Sequence, residues 1–240
     1  MTRASRITTL VAALLVAVTV LGCGFISQAK NVIDTAAILG DFADRLGKSA
    51  QMTYTAKYQV TGGETVTLVQ QPPNAAFLSE KGRFVFTAEH MIICGEESGK
   101  TACQRSPNNS PDVDAASAGF VAGITGPGFV TPELALGMVA AAALVPGAKV
   151  DSSSKQIAGE NSLCAKVTGL DAAASPGDTD VLKDFTVCVT EIGILASFSG
   201  TLTTGEQGAI ELTEYSTDVD TKAFEVPAGA TVTDVATLQK

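Results

Sequence analysis

The alternation of apolar and polar residues between positions 52 and 60 is the clearest structural signal in the chain. The apolar positions are Met52, Tyr54, Ala56, Tyr58 and Val60, and polar residues fill the positions between them. Successive side chains of a strand point to opposite faces of its sheet. The pattern therefore predicts a strand in an antiparallel sheet that packs against a core with one face only.

Two segments have the pattern of helices. Apolar residues between positions 31 and 46 recur at spacings of three and four, which predicts a helix with one buried stripe. A second helix is predicted over 131–145, with Thr131 as the N-cap and Pro132 at the first helical position. This second helix is apolar on nearly every side, so we expect it to be buried or to cover an apolar surface.

Shorter alternating runs, separated by Gly, Pro and Asn, predict the other strands. They are expected over residues 65–70, 75–79, 83–88, 90–94, 100–105, 156–168, 184–190, 194–203 and 209–215. Between them, residues 106–114 and 171–180 are predicted loops, and 151–155 is a predicted polar link. The order of elements is a helix, a long meander of strands, a helical segment and then further strands.

The first 23 residues have the layout of an export signal. Arg3 and Arg6 precede an apolar run over 7–21 that ends in Val20-Leu21-Gly22-Cys23. The run of about 15 residues is short for a stable membrane span of roughly 20. Val-Leu-Gly-Cys resembles the lipobox of bacterial lipoproteins, in which the cysteine thiol is acylated and the chain is cut just before it.

The lipobox resemblance implies a lipid anchor on Cys23 and a place on the extracytoplasmic face of the cell membrane. We expect a signal peptide over 1–22, a lipidated tether over 23–30 and a single domain over 31–240. The alternative is an ordinary secretory signal, or one N-terminal anchor helix, with an incidental cysteine. In both cases the rest of the chain works outside the cytoplasm.

The net charge of the chain limits the classes of molecule that it is expected to bind. The whole chain has 16 Lys and Arg against 25 Asp and Glu, and residues 1–22 contain two of the basic residues and none of the acidic ones. Removal of the signal leaves 14 basic against 25 acidic residues, a net charge of −11. Such an acidic surface argues against nucleic acid and against adsorption to anionic headgroups. Contact with the membrane is therefore expected through the anchor.

The four cysteines besides Cys23 form an even set in a chain destined for an oxidising compartment. Cys94 and Cys103 flank a polar, turn-rich stretch, so a disulfide between them would join the ends of a hairpin. Cys164 and Cys188 each alternate with apolar neighbours, which predicts a cross-strand bridge on the outer face of the sheet. Four reduced, buried thiols are the alternative. A metal site is less favoured because no Cys-x-x-Cys spacing exists.

The order of elements resembles the LolA, LolB and LppX/LprG group of envelope lipoproteins and lipid carriers. The resemblance is carried by the helix over 31–46, the strand over 52–60, Ile157-Ala158-Gly159 at the entry to a strand, and the terminal Phe224-Glu225-Val226-Pro227. It implies an α+β fold: a strongly curved, incomplete antiparallel β-barrel whose concave face is covered by helices. A hydrophobic cavity lies between sheet and helices in that fold.

The resemblance implies a protein that binds a lipid or another hydrophobic ligand in this cavity, for local transfer or presentation. The expected cavity wall consists of Met52, Tyr54, Tyr58, Phe84 and Phe86 on the sheet and of Phe120, Phe129, Leu134, Met138 and Leu144 on the helical side. The same residues could instead fill a tight core. In that case the domain would be an interaction or sensing module for other envelope proteins, with a packed interior and an exposed apolar patch.

Nothing in the sequence marks a catalytic centre. His90 is the only histidine, and no Gly-x-Ser-x-Gly motif is present. We therefore interpret the chain as a protein that is not an enzyme, and we predict no cofactor. A cluster of buried carboxylates in a cleft would favour an enzyme instead.

The lipid anchor yields a direct prediction. Cys23→Ala removes the thiol that would receive the acyl chain, so this variant is expected to lose both incorporation of a fatty-acid label and association with the membrane fraction. Ser27→Ala, in the same tether, is the matched control and should retain both. Unchanged labelling and membrane association of Cys23→Ala would contradict the anchor.

Overall fold

The computed structural model describes residues 36–49, 51–108, 132–173 and 181–235. Helix α1 covers residues 36–49 and helix α2 covers Pro132–Ala142. Twelve strands make up most of the rest. They are β1 Tyr54–Val60, β2 Thr65–Gln71, β3 Asn74–Ser79, β4 Gly82–Phe86, β5 His90–Glu97, β6 Lys100–Pro107, β7 Lys149–Ile157, β8 Glu160–Thr168, β9 Leu182–Thr190, β10 Leu195–Leu202, β11 Gln207–Ser216 and β12 Thr231–Asp234.

All twelve strands belong to one sheet. Its order is β12-β6-β5-β4-β3-β2-β1-β11-β10-β9-β8-β7, so two antiparallel meanders are joined where β1 pairs with β11. The sheet is mixed, because β12 pairs with β6 in parallel. Its two edges are β12 and β7.

The strand register separates the side chains into two faces. Tyr58 stands opposite Val66 of β2 and Leu212 of β11, and all three are buried. We call the side of the sheet that carries Tyr58 face A and the other side face B. Residues at every second position of β1 share face A, as the alternation in the sequence predicts.

Both helices pack on face A. Phe42 of α1 and Val139 of α2 are almost fully buried and belong to the main core, together with Tyr58. The sheet residues of this core come from β1, β2 and β7–β11. The helices therefore cover one half of face A rather than all of it.

In the half of the sheet formed by β3 to β6, a short turn packs on face B. Ala223, in a short 3₁₀ turn at Thr221–Phe224, packs with Val85 of β4 and Ile92 of β5. Beyond this turn the chain forms β12, where the Arg105 guanidinium donates to the Asp234 carboxylate at 2.6 Å. This hydrogen bond holds the pKa of Asp234 below its ordinary value.

Both predicted disulfides are present. Cys94 stands opposite Cys103 in the β5–β6 hairpin, and Cys164 stands opposite Cys188 between β8 and β9. The second bridge lies on face B, because Cys188 stands opposite Ser197, whereas the neighbouring Val187 stands opposite Phe198 and points to face A. The predicted pairing and the predicted face are confirmed, but both cysteines of this bridge are buried, at 3% and 2% exposed.

The expected fold class, a strongly curved β-barrel with a concave face closed by helices, is wrong. The sheet is neither closed nor strongly curled, and only two short helices accompany it in the described ranges. Dimensions explain the difference: twelve strands spaced by about 4.8 Å span about 53 Å. Helices of 14 and 11 residues are only about 21 Å and 17 Å long, too short to cover such a sheet.

The sequence pattern missed two strands, the four-residue β12 and the longer β7. Residues 151–155, predicted as a polar link, lie inside β7, and Ala158-Gly159 is the turn of the β7–β8 hairpin rather than the entry to a strand. Asp151 to Gln156 are exposed on both faces of the sheet, so no alternation of apolar and polar residues marks this strand.

Within the four described ranges, no helix has both the length and the apolar composition that a membrane span requires.

The β9–β10 turn fits closely against the end of α1. Gly193 has φ +93°, and a Cβ at this position would lie 1.9 Å from the backbone oxygen of Arg45. Gly205, in the β10–β11 turn, has a similar φ of +88° but open space around it. Alanine substitutions at these two glycines therefore separate the energetic cost of the left-handed backbone conformation from the cost of a clash with α1.

We expect Gly205→Ala to lower the free energy of unfolding by about 1–2 kcal/mol, the cost of a left-handed conformation. Gly193→Ala should cost clearly more, because its Cβ would push α1 away from the sheet. Urea denaturation of both variants measures the difference. Equal losses would show that α1 does not dock on this turn.

Candidate functional site

Two of the predicted cavity-wall residues lie deep in the space between the helices and face A. Tyr54 and Tyr58 are only 3% and 2% exposed and belong to the main core with Phe42. Burial raises the pKa of the Tyr58 hydroxyl well above its ordinary value, which fits an interior without bulk water. These two predicted wall residues are therefore core residues in this structure.

The structure describes three of the five predicted wall residues on the helical side, and they differ in burial. Met138 is half-buried against the core, whereas Leu134 and Leu144 are 54% and 78% exposed. Phe120 and Phe129 lie outside the described residues. On the sheet side, Met52 precedes β1 and is half-buried against the core.

The last two predicted wall residues, Phe84 and Phe86, lie in a second apolar region of face A. They belong to a group that also includes side chains from β3 and β5. We call this group the apolar patch; its members are Phe77, Phe84, Phe86, Met91 and Ile93.

The register makes the apolar patch a continuation of the main core. Leu68 of β2 stands opposite Phe77, Phe77 opposite Phe84, and Phe84 opposite Ile93. The rings of Phe77 and Phe84 are 6.3 Å apart between centroids and tilted by 44°. Phe84 is buried, whereas Phe77, Phe86 and Ile93 are half-buried. Face A thus carries one apolar row that extends from the helix-covered half into the apolar patch.

Face B carries a groove of a different character. It has a volume of about 660 Å³ and lies over β8, β9 and β10, between β7 and β11. The Cys164–Cys188 disulfide forms part of its floor, and Thr186, Ser197 and Ser199 line it with hydroxyl groups. Small side chains on the floor leave the space open.

An ion pair closes one side of this groove. The Nζ atom of Lys155 in β7 lies 3.5 Å from the Oε2 atom of Glu211 in β11, and both side chains are about 60% exposed. An exposed pair of this kind contributes little to stability. It does show that β7 and β11, four steps apart in the sheet order, approach each other on face B.

The sequence contained part of the signal for this groove. The predicted outward position of Cys164 and Cys188 placed both residues on the face that carries the groove. Its wall at Ser153 and Lys155 was missed because β7 was not recognised as a strand.

The part of the chain that the structure describes offers no cluster of three or more His, Cys, Asp or Glu that could hold a metal ion. Its buried polar side chains are Ser49, Ser162 and Thr190. The hydroxyl of Thr190 donates to the backbone oxygen of Ile194, at 3.2 Å, and accepts from the backbone N–H of Ile194, at 2.9 Å. These groups stabilise a turn and form no cleft of buried carboxylates.

No known protein family matches this chain. No curated protein matches it either. Among solved structures, the crystal structure of an uncharacterized conserved protein from Thermus thermophilus is similar, with a TM-score of 0.46 and 11% sequence identity. The match covers 82% of this chain and 98% of that chain. A likeness at this level supports no assignment of family or function.

The packed interior yields a prediction on two apolar residues. Phe42→Ala should lower the free energy of unfolding by about 3–5 kcal/mol, because it leaves a cavity between α1 and the sheet. Leu144→Ala removes an exposed side chain and should change it by less than about 0.5 kcal/mol. Denaturant unfolding measures both. A small loss for Phe42→Ala would indicate a space that the side chain does not fill.

Proposed function

We propose that this chain is a lipid-anchored binding protein on the extracytoplasmic face of the cell membrane. The sequence Val20-Leu21-Gly22-Cys23 supports the anchor. The two disulfides support an oxidising compartment, where such bridges form and persist. A tether of about seven residues after Cys23 would keep the sheet domain close to the bilayer. Membership of the LolA, LolB and LppX/LprG group stays a prediction from the sequence, and the proposal does not depend on it.

The proposed ligand is a long apolar molecule such as an acyl chain, and the proposed site is the apolar patch. The observation that supports this site is the apolar row of face A, which continues through Phe77, Phe84 and Ile93 beyond the helix-covered core. The site differs from the expected cavity under the helices, where Tyr54 and Tyr58 are buried in the core. Phe86 and Ile93 are half-buried and so offer surface that a ligand could still cover.

Burial rather than charge would drive this binding. Each methylene group moved out of water contributes about 0.8 kcal/mol, so a single chain can bind usefully without an ionic partner. The net charge of −11 on the mature chain disfavours anionic headgroups as the main contact. Because the anchor keeps the protein at one membrane, the role we propose is local transfer or presentation of the ligand.

Phe86→Ala tests the proposed site. We expect this variant to bind a fluorescent long-chain fatty acid about tenfold more weakly than the wild type, because the ligand loses its apolar contact with the half-buried Phe86 ring. Phe224→Ala is the matched control, because Phe224 is also half-buried but packs on face B with the smaller core. Fluorescence titration of the three proteins gives the dissociation constants.

Two outcomes would contradict this site. One is a wild-type protein that binds no fatty acid. The other is an equal loss of affinity in Phe86→Ala and Phe224→Ala, which would indicate a general effect on the fold rather than a contact with the ligand.

A packed interior favours a second candidate, an envelope interaction or sensing module without a ligand. Core side chains such as Phe42, Tyr58 and Val139 leave almost no exposed surface between helices and sheet. The groove on face B would then offer the contact surface, with hydroxyl groups from Ser197 and Ser199 as hydrogen-bonding partners.

Native mass spectrometry of protein extracted from its own membrane separates the two candidates. A ligand-binding protein is expected to carry additional mass from copurified lipid, which Phe86→Ala loses. A module without a ligand is expected to show the mass of the acylated chain alone.

A further inference from the structure

β7 is a long edge strand: among the described residues, β8 is the only strand that pairs with it. It contains nine residues, pairs with β8 on one side and ends the strand order of the described residues. Residues 151 to 156 are all exposed. The outward N–H and C=O groups of such a strand can pair with another strand.

β7 lacks several of the devices that usually prevent such pairing, although it carries Lys149 and Lys155. It contains no proline, and its nine residue pairs with β8 run without a bulge from Lys149↔Thr168 to Ile157↔Glu160. The opposite edge, β12, is only four residues long. Short edges, prolines, bulges and charged side chains, Lys above all, are the common means of protection. Of the two edges β7 is the one long enough to accept a strand, but only a strand whose charges match its own.

The hairpin turn determines which backbone groups of β7 point outwards. Ala158 and Gly159 form a two-residue turn with φ +50° and +83°, so Ile157 and Glu160 form a hydrogen-bonded pair. Hydrogen-bonded pairs alternate along an antiparallel ladder. The odd-numbered residues of β7 therefore bond to β8, whereas Val150, Ser152, Ser154 and Gln156 direct their backbone groups outwards.

Charges select one register when two copies of β7 meet antiparallel around a two-fold axis. With the axis at Ser153, Asp151 of each copy stands opposite Lys155 of the other, and Ser152 pairs with Ser154. With the axis at Ser152, Lys149 would face Lys155, which brings like charges together. With the axis at Ser154, Asp151 would face Ile157 and gain no ionic partner. Opposite charges across a strand pair stabilise it, and like charges destabilise it.

We propose that β7 pairs with β7 of a second copy of this chain, in the register with Ser153 at the two-fold axis. About eight backbone hydrogen bonds would form between the outward groups of the two strands. Both Asp151–Lys155 pairs would lie on face B. The small side chains of Ser152, Ser153 and Ser154 allow the strands to approach closely. The site is self-complementary, as a two-fold interface requires, and it is independent of any ligand on face A.

Cysteine cross-linking tests the register. Ser153 residues at the axis form a pair without backbone hydrogen bonds, the closer of the two pair types. Mild oxidation of Ser153→Cys in isolated membranes is expected to give a covalent dimer on a non-reducing gel. Thr204→Cys, exposed in the β10–β11 turn, is the matched control: neither this variant nor the wild type, whose dimer is non-covalent, should give a covalent dimer on the gel.

Charge variants test the ionic pairs without a new thiol. Asp151→Lys places Lys opposite Lys, and Lys155→Asp places Asp opposite Asp, so each variant alone should raise the dissociation constant of the dimer about tenfold or more. A mixture of the two variants restores both opposite-charge pairs and should dimerise as the wild type does. Analytical ultracentrifugation of the full chain in detergent, with circular dichroism to confirm folding, provides the readout.

A monomeric wild-type chain, or a Thr204→Cys variant that cross-links as fast as Ser153→Cys, would overturn the proposal. So would charge variants that dimerise as the wild type does, or a mixture that dimerises no better than its two components.

Discussion

The pairing of β1 with β11 is the constraint on which the rest of the structure depends. It joins two meanders that would otherwise be separate sheets, each with its own edges. β1 also pairs with β2, so its side-chain alternation sets which face is apolar in both meanders. Tyr58, between Val66 and Leu212, is the point where the two apolar faces become one. A slip of one residue at this joint would turn the apolar positions of one meander to face B.

The size of the sheet explains why face A has two kinds of surface. Two short helices cover the half formed by β1, β2 and β7–β11, where side chains from both layers fill the space. The other half of face A carries the apolar patch. Hence the same alternation of residues yields a closed core at one end and a candidate ligand surface at the other.

The sequence predicted most strands and both helices because their apolar residues recur with a clear period. It predicted the Cys164–Cys188 bridge on the outer face from alternation alone, and the structure confirms it. It missed β7, because a strand exposed on both faces carries no such period. The overall shape was also wrong: alternation shows which face a side chain takes, but sheet curvature and helix position depend on contacts between distant segments.

The candidate site was predictable only in part. The pattern placed Tyr54, Tyr58, Phe84 and Phe86 on one face, which is correct, but it could not distinguish core from patch. That distinction depends on how much of face A is covered by α1 and α2. Leu134 and Leu144 were expected to line the cavity, but both are exposed. Their helix is apolar on nearly every side, so its sequence does not show which of its residues face the sheet.

Mapping a photoactivatable fatty acid onto the protein tests the central claim most directly, namely that the ligand lies beside the helix-covered core and not within it. After irradiation and proteolysis, mass spectrometry identifies the labelled residues. The account predicts labels on Phe77, Phe86 and Ile93 of the apolar patch. Labels concentrated on Phe42, Tyr58 or Val139, inside the packed core, would contradict it.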